Sequence, residues 1–248
     1  MPLIEVKDLR LYFNNGQAKV IDGVSFSADK GQFVSIVGPS GCGKSTMLRI
    51  IAGLIRPTSG SVLYMGKEII GPVTGISFVF QDFALLPWLT NIENVELGLS
   101  RFDVPDDEKK RRAADLLDKF GLGGFANDYP NVISGGMKQR VGIARAIASE
   151  PNVLLMDEPF SSLDVLTAET LRGDIMYMLN SAALSVNCVI MVTHNVEEAV
   201  EVSNSVVILS NKPAVVKEIR EIGLPYPRDK HSEEFLREVD QIYATLTD

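Results

Sequence analysis

The sequence predicts an α/β fold in which a mostly parallel β-sheet forms the core, a helical subdomain is inserted, and a small antiparallel β-subdomain comes first. Three observations predict this fold. Several apolar runs show little alternation, helical patterns lie between some of them, and polar and apolar residues partly alternate near the N-terminus. The chain has 248 residues, of which 46% are hydrophobic, so it can bury a sizeable core.

The apolar runs have the length of strands and are nearly continuous, which is typical of strands covered on both faces of a parallel sheet. They are Phe33–Val37, Ile76–Phe80, Val153–Met156, Val189–Val192 and Val206–Leu209. Apolar residues at helical spacing predict helices at Thr46–Leu54, Met137–Ser149 and Val196–Val202. Near the N-terminus, LIEVKDLRLYF and VIDGVSFSA predict a pair of antiparallel strands.

The stretch from 85 to 150 is mostly helical and interrupts the series of strands, so we interpret it as an insertion. We expect a single domain over 1–248, with a core at 1–85 and 150–222, a helical subdomain at 86–149, and a C-terminal loop and helix at 223–248. The last helix has an apolar stripe of Phe235, Leu236, Val239, Ile242, Tyr243 and Leu246. We expect the stripe to pack on the domain itself; the alternative is a helix that docks a partner.

Composition disfavours several classes of protein. A net charge of −8 argues against a nucleic-acid binder, because neutralising phosphates requires a basic surface. The basic run KKRR at 109–112 has acidic neighbours, so we expect a solvated helix face with internal ion pairs. Cys42 and Cys188 lie in unrelated contexts and indicate neither a disulfide framework nor a zinc site. The apolar runs fall far short of the ~20 residues of a membrane span, and the N-terminus does not resemble a signal peptide.

The segment GPSGCGKST at 38–46 matches the phosphate-binding pattern G-x-x-x-x-G-K-[ST]. It follows a predicted strand and opens a predicted helix, and this context disfavours a chance glycine-rich turn. Backbone N–H groups of such a loop, with the helix N-terminus, bind phosphate oxygens. We expect Lys44 to reach the β- and γ-phosphates and Ser45 to hold Mg²⁺. The other expected nucleotide contacts are Gly38, Ser40, Gly41, Cys42, Gly43 and Thr46. Cys42 is either a small filler or, if accessible, a thiol whose alkylation blocks nucleotide binding.

A second segment, VLLMDEP at 153–159, is an apolar strand that ends in two carboxylates. Asp157 is placed to hold Mg²⁺ directly or through water. Glu158 follows where a carboxylate can polarise a water molecule beside the γ-phosphate. Together with the phosphate loop, this segment predicts hydrolysis of a nucleoside triphosphate with magnesium.

A third segment, VISGGMKQRV at 132–141, also suits an anion. Ser134 and the amides of Gly135 and Gly136 lie at the start of a predicted helix. A triphosphate has one γ-phosphate, and the loop at 38–46 already accounts for it. The residues therefore leave two alternatives, a second ligand or a phosphate presented by another subunit.

These motifs occur in the order found in one family, and the chain resembles the ATPase subunits of ATP-binding cassette (ABC) transporters over nearly its whole length. GPSGCGKST resembles the Walker A loop, Gln81 in FVFQD the Q-loop, ISGGMKQR the signature LSGGQ, VLLMDEP the Walker B strand, SSLD at 161–164 the D-loop, and His194 in MVTHN the switch histidine. Phe13, with Tyr12 as the alternative, resembles the aromatic residue that stacks on adenine. The resemblance implies a P-loop NTPase (RecA-like) core that binds ATP and Mg²⁺.

The resemblance also implies roles for single residues. Gln81 would sense the magnesium ion and the attacking water and couple to the membrane subunit, and Asp157 would serve the metal. Glu158 would be the general base, and His194 would contact the γ-phosphate. Asp164 would lie at the seam of a dimer. Without their neighbouring motifs, Gln81, Asp164 and His194 could equally be surface polar or structural residues.

Two positions depart from the usual signature. Ile133 replaces leucine and Met137 replaces glutamine, but the anion-facing atoms come from Ser134 and the glycine backbone, so we expect function to be kept. The form SGGM[KR]QR resembles importers for nitrate, alkanesulfonates and taurine, as do LLPWLTNIENV, HNVEEAV and GLPYPRDKHSEEF. Trp88 in the first of these either packs in the core or lies near the groove that receives a membrane-subunit helix.

The resemblance therefore implies the motor subunit of an importer, bound to transmembrane permease subunits at the cytoplasmic face of the membrane. The leading solute is a small anion such as nitrate, a sulfonate or taurine, but importers of thiamine precursors and other solutes share these motifs. A second copy would pair head to tail, so that segment 133–137 of one chain, Met137 included, completes the ATP site of the other. A solute-binding protein outside the cell would deliver the solute. A non-transport ABC ATPase of DNA repair or translation is the alternative, disfavoured by the short chain between Lys44 and Asp157 and by the single cassette. An inactive regulatory cassette lacks support because the catalytic residues are present, and another P-loop class would not need the signature.

Overall fold

The structure, a computed structural model, describes residues 1–13, 17–180 and 185–247, with the backbone alone at 178–180. Asp248, the last residue of the predicted tail, lies outside these residues. The chain folds as two compact units, Met1–Thr74 with Asn187–Asp248, and Gly75–Val186. The helical subdomain that we expect at 86–149 falls within the second unit, and its boundaries stay a prediction. Across the described ranges, every helix is too short or too polar to cross a membrane.

The elements follow one another in a mixed α/β order. The strands are β1 (Ile4–Phe13), β2 (Ala18–Ala28), β3 (Phe33–Val37), β4 (Ser59–Tyr64), β5 (Lys67–Glu68), β6 (Ile76–Val79), β7 (Val153–Asp157), β8 (Cys188–Thr193), β9 (Ser205–Leu209) and β10 (Val216–Glu221). The helices are α1 (Lys44–Ile51), α2 (Asn91–Glu96), α3 (Asp106–Lys119), α4 (Gly135–Ala148), α5 (Val165–Asn180), α6 (Val196–Val202) and α7 (Glu233–Thr247), with short 3₁₀ turns at Leu97–Leu99, Gly123–Phe125 and Pro130–Val132.

The first unit contains strands of two kinds. An antiparallel sheet has the order β2-β1-β4-β5, which confirms the predicted N-terminal antiparallel strands. In the other group, β3 lies between β8 and β9 and is parallel to both, while β10 runs antiparallel to β9. Every residue of β3, β8 and β9 is buried, which explains why these strands read as continuous apolar runs. The predicted α/β fold is confirmed.

Helix α7 packs its apolar stripe on its own unit. Phe235, Val239 and Ile242 are buried in one cluster with residues of α6 and β9, and Leu246 packs against that cluster. Leu236 and Tyr243, at the margins of the stripe, are about half exposed. The expectation that the stripe packs on the domain itself is confirmed.

The second unit contains the parallel pair β6 and β7 and most of the helices. The basic run at 109–112 lies on α3, where Arg111 and Arg112 both bind Glu108 at 2.8 Å. The internal ion pairs that we expect for this run are therefore confirmed. Trp88 is 69% exposed, so the interpretation of Trp88 as core packing is wrong.

Helix α1 begins two residues earlier and ends three residues earlier than the apolar spacing predicts. Gly53 explains the early end, because it has a φ of +74°, and a Cβ atom there would lie 2.2 Å from the carbonyl oxygen of Gly71. A left-handed glycine just past the last helical residue is a common way to end a helix.

Candidate functional site

The predicted phosphate loop connects β3 to α1 in the first unit. Gly43 precedes α1 with a φ of +118°, and a Cβ atom at Gly38 would lie 3.1 Å from both the Cys42 sulfur and the Leu209 Cβ. Both positions therefore need glycine, one for its conformation and one for space. Lys44 is almost fully buried, and its Nζ donates to the carbonyl oxygens of Gly38 at 2.7 Å and Pro39 at 3.1 Å. The ammonium group thus lies against the loop whose amides suit phosphate.

Cys42 fills space within this loop. Its side chain is 1% exposed, and burial raises the pKa of its thiol, although the Lys44 ammonium acts in the opposite direction. The interpretation of Cys42 as a small filler fits this environment. The alternative of an accessible thiol is wrong.

His194 lies at the same sheet edge as the phosphate loop. β3 and β8 are parallel, with Val37 opposite Thr193, so Gly38 and His194 both follow the carboxyl ends of neighbouring strands. His194 is exposed. Ligands of open α/β sheets bind outside this edge, which makes His194 a suitable group to meet a phosphate bound by the loop.

The two aromatic residues at the end of β1 differ in their surroundings. The Tyr12 hydroxyl donates to Asp22, which raises the pKa of Tyr12, and the ammonium of Lys19 lies 5.2 Å from the centre of its ring. The Phe13 ring is 50% exposed. Phe13 is the ring that remains available for stacking on a base.

In the second unit, β7 ends at the two predicted acidic residues. Asp157 is buried, whereas Glu158 is partly exposed and has a φ of +46°, a left-handed conformation that is strained for a residue other than glycine. Gln81, two residues after β6, donates from Nε2 to a carboxylate oxygen of Glu158 at 3.4 Å. The structure therefore brings Gln81 and Glu158 together, as their predicted shared task at the attacking water requires.

The loop after Gln81 is held by a residue that the sequence did not single out. Arg145 of α4 donates to the carbonyl oxygens of Phe83 and Ala84, at 2.7 Å in each case. Both of these residues have positive φ angles. Burial lowers the pKa of the Arg145 guanidinium. Arg145 is partly buried and binds residues distant in sequence, and a basic residue near a helix end carries no local signal for such a role.

The signature segment lies at the N-terminus of α4. Ser134 caps the helix, its hydroxyl oxygen accepting from the N–H of Met137 at 3.3 Å, and Ser134 and Gly135 are exposed. Gly136 is buried, and a Cβ atom there would lie 2.3 Å from the Thr167 methyl group. The segment thus presents one hydroxyl and the amides of a helix N-terminus to its surroundings.

The D-loop segment lies beside the signature segment. Asp164 accepts from the N–H of Thr167 at 3.0 Å, and hydrogen bonds with Thr167 lower the pKa of its carboxyl. Leu163 lies near Gly135, with its Cδ2 atom 3.8 Å from where a Cβ atom would stand. Two segments that resemble dimer-seam motifs therefore share one part of the second unit.

The residues present fit a magnesium nucleotide. Among the residues that the structure describes, no group of three or more His, Cys, Asp or Glu side chains could hold a metal by itself. Mg²⁺ does not need such a group, because proteins usually bind it through one or two carboxylates while phosphate oxygens and water complete its coordination. The first unit contains a hydroxyl of the kind that Mg²⁺ takes in Ser45, and the second unit contains a buried carboxylate in Asp157.

The chain is similar in sequence and structure to ABC transporter proteins. The ABC transporter family model matches residues 21–161. The aliphatic sulfonates import ATP-binding protein of Bacillus cereus is 42% identical over 94% of this chain and 91% of its own length. The nitrate transport protein of Klebsiella oxytoca is 42% identical over 92% of this chain and 88% of its own. A solved ATP-binding cassette, a dimer in a post-hydrolysis state with ADP and phosphate, superposes with a TM-score of 0.78, at 32% identity over 90% of this chain and 100% of that one.

Proposed function

The chain belongs to the ABC transporter family as an ATPase subunit, and on that premise we propose that it is the motor of an importer for a small anion such as nitrate, a sulfonate or taurine. Two observations support separate parts of the proposal. The contact between Gln81 and Glu158 supports hydrolysis, and the relatives named for sulfonates and nitrate support the solute class.

The first unit binds the triphosphate. The amides of the loop at 38–46 and the Lys44 ammonium hold its phosphates, and Phe13 stacks on adenine. Ser45 and Asp157 would hold Mg²⁺ with the help of Gln81, and the ion would supply neutralisation of the charge on the phosphates.

Glu158 takes the proton from the attacking water. Gln81 orients the carboxylate through its hydrogen bond and is placed to hold the same water. His194 donates a hydrogen bond to the γ-phosphate from its position at the sheet edge. General-base catalysis of this kind contributes roughly 10²- to 10⁴-fold to a rate.

A second copy of the chain supplies the remaining contacts. The 38–46 loop of the same chain already holds the triphosphate, so that triphosphate needs no contact from Ser134, Gly135 and Gly136. Ser134 and Gly135 are exposed. In a head-to-tail pair with two-fold symmetry, this segment of one chain faces the γ-phosphate held by the other, and both sites are equivalent. A related cassette has been solved as a dimer, which is consistent with this arrangement.

The membrane partner is a pair of permease subunits, and the chain sits peripherally on their cytoplasmic side. Trp88 is exposed shortly after the Gln81 loop, where an aromatic anchor suits a helix from a partner. A solute-binding protein outside the cell contacts the permease and not this chain. The net charge of −8 argues against nucleic acid as a partner, and Arg111 and Arg112 of the basic run are paired with Glu108 of the same helix.

Glu158→Gln tests the catalytic part of the proposal. We expect ATP hydrolysis to fall by at least about 100-fold while ATP binding is kept, because the general base is lost. Size-exclusion chromatography with saturating ATP should show this variant as a dimer. Glu197→Gln, which makes the same change at an exposed position of α6, is the matched control and should behave like the wild type. A Glu158→Gln variant that stays monomeric in saturating ATP would contradict the dimer.

Ser134→Arg tests the second anion site separately. We expect the monomer to bind ATP with unchanged affinity, measured by calorimetry, while hydrolysis is lost. Loss of monomer binding would show that Ser134 contacts the nucleotide of its own chain.

The solute is tested in proteoliposomes containing the permease and the binding protein, where competition among nitrate, taurine and an alkanesulfonate for uptake identifies it. Uptake that none of the three anions inhibits would refute the solute class alone.

A further inference from the structure

Three hydrogen bonds form a closed ring around His194. The Thr193 hydroxyl donates to a carboxylate oxygen of Glu198 at 2.9 Å and accepts from the N–H of Asn195 at 3.0 Å. The side-chain oxygen of Asn195 accepts from the N–H of Glu198 at 3.2 Å. Thr193 and Glu198 are buried, whereas His194 between them is exposed. The ring therefore fixes the backbone on both sides of a side chain that faces solvent.

The direction of the Glu198 side chain separates this ring from an ordinary helix cap. In α2, the capping box is complete, because the Glu93 carboxylate accepts from the N–H of its own cap residue, Thr90, at 2.7 Å. In α6, Asn195 is the cap, but Glu198 reaches past it to the hydroxyl at the end of β8. The carboxylate thus links the start of the helix to the end of the strand, with His194 at the junction.

Burying a carboxylate in this place costs free energy unless hydrogen bonds compensate for it. Replacing both partners of a buried hydrogen bond with apolar groups of the same shape can be nearly neutral for stability. Stability alone therefore does not require an acid at this position. Fixing a neighbouring side chain does require a directional bond.

We propose that Thr193 and Glu198 are positioning residues for His194, holding its backbone so that the imidazole reaches the γ-phosphate in the geometry that hydrolysis needs. This inference rests on the proposed contact of His194 with the γ-phosphate. Outer partners that orient the ligands of a metal site are typically worth about 10- to 100-fold in activity, and we take the same range for residues that orient a histidine.

The other end of α6 provides a control for simple loss of helix stability. Arg228, in the loop before α7, donates to the carbonyl oxygens of Val200 and, at 2.7 Å, of Ser203. These bonds hold the C-terminal end of α6 without involving the ring. Arg228→Gln should therefore destabilise α6 and leave the surroundings of His194 unchanged.

The test compares Thr193→Val with Thr193→Ser in the full chain. Valine keeps the volume but removes the hydroxyl, and we expect kcat for ATP to fall about 10- to 100-fold, with KM for ATP within about twofold of the wild type. Serine keeps the hydroxyl and should retain kcat within about threefold. Glu198→Gln offers a second variant, since it keeps an acceptor oxygen but weakens the hydrogen bond from Thr193. Its kcat should lie between those of Thr193→Val and Thr193→Ser.

Urea unfolding of each variant separates positioning from stability. We expect Arg228→Gln to lower the unfolding midpoint at least as much as Thr193→Val, yet to keep kcat within about threefold. Equal losses of kcat in Thr193→Ser and Thr193→Val, or a matching loss in Arg228→Gln, would reduce the ring to a structural feature. An inactive His194→Ala beside a fully active Thr193→Val would overturn this inference alone. An active His194→Ala would overturn the proposed role of His194 and this inference with it.

Discussion

Gly136 is the most tightly packed position of the signature segment for which the structure gives a distance. A Cβ atom there would lie 2.3 Å from the Thr167 methyl group of α5, a distance at which one of the two must move. Thr167 is branched at Cβ and lies on a helix, so its methyl group has few places to go. We therefore predict that Gly136→Ala destabilises the contact between α4 and α5, and that Thr167→Ser, which deletes the methyl group, restores it.

The magnitude follows from opposing contributions. Overpacking by one methyl group costs about 1–3 kcal/mol. Replacing a helical glycine with alanine returns about 1 kcal/mol through helix propensity. The net loss for Gly136→Ala alone is thus about 0–2 kcal/mol, which is too small to be decisive. A double-mutant cycle removes the propensity contribution and should give a favourable coupling of about 1–3 kcal/mol between the substitutions Gly136→Ala and Thr167→Ser.

Urea unfolding followed by circular dichroism measures all four proteins of the cycle. Gly135→Ala is the matched control, since its Cβ atom would lie 3.8 Å from Leu163, an ordinary contact, and it should cost no stability. A coupling smaller than about 0.5 kcal/mol, the usual error of additivity, would refute the close approach of α4 and α5 at this position.

Two further predictions concern the first unit. Phe235→Ala should lower the free energy of unfolding by about 3–5 kcal/mol, because the Phe235 side chain of α7 is fully buried against α6 and β9. Leu236→Ala, at a position of the same helix that is 49% exposed, should cost under about 1 kcal/mol, and urea unfolding of both variants checks this. Burial raises the pKa of the Cys42 thiol and raises the pKa of Cys188 to about 12, so both thiols stay protonated at pH 8. Iodoacetamide should therefore modify both cysteines slowly in the native protein and quickly in urea, and mass spectrometry measures the two rates. Rapid native alkylation of Cys42 would contradict its placement inside the loop.

Local sequence signals were enough for β1 to β3, for β6 to β9 and for the phosphate loop, but not for β4, β5 and β10. The run Phe33–Val37 matches β3 residue for residue, because burial on both faces leaves a continuous apolar segment. The loop that follows it is fixed by glycines whose roles are conformational and steric, and such roles leave a pattern in the sequence. The order of the motifs then identified the family.

The features that the sequence did not predict depend on partners far apart in the chain. Arg145 binds carbonyl oxygens some sixty residues earlier, and any backbone carbonyl can be such a partner, so no residue type marks it. Tyr12 and Phe13 could not be separated by sequence, since neighbouring residues of a strand point to opposite faces and either can be the exposed one. The Asn195–Glu198 spacing does match a helix-cap signature, but its link to Thr193 appears only when β8 and α6 are seen together.

The methionine at position 137 shows what the signature segment requires of each residue. Ser134 caps α4 by accepting from the backbone N–H of residue 137, and any side chain at this position supplies that donor. A glutamine, as in the usual signature, could return a bond to the cap residue and complete a capping box, as Glu93 does for Thr90 in α2. Methionine cannot, so α4 forgoes one hydrogen bond, a difference of about 0.5–1.5 kcal/mol. The groups that face an anion are the Ser134 hydroxyl and backbone amides, and neither depends on that bond. The substitution therefore changes how firmly α4 is capped and leaves the anion site as it is.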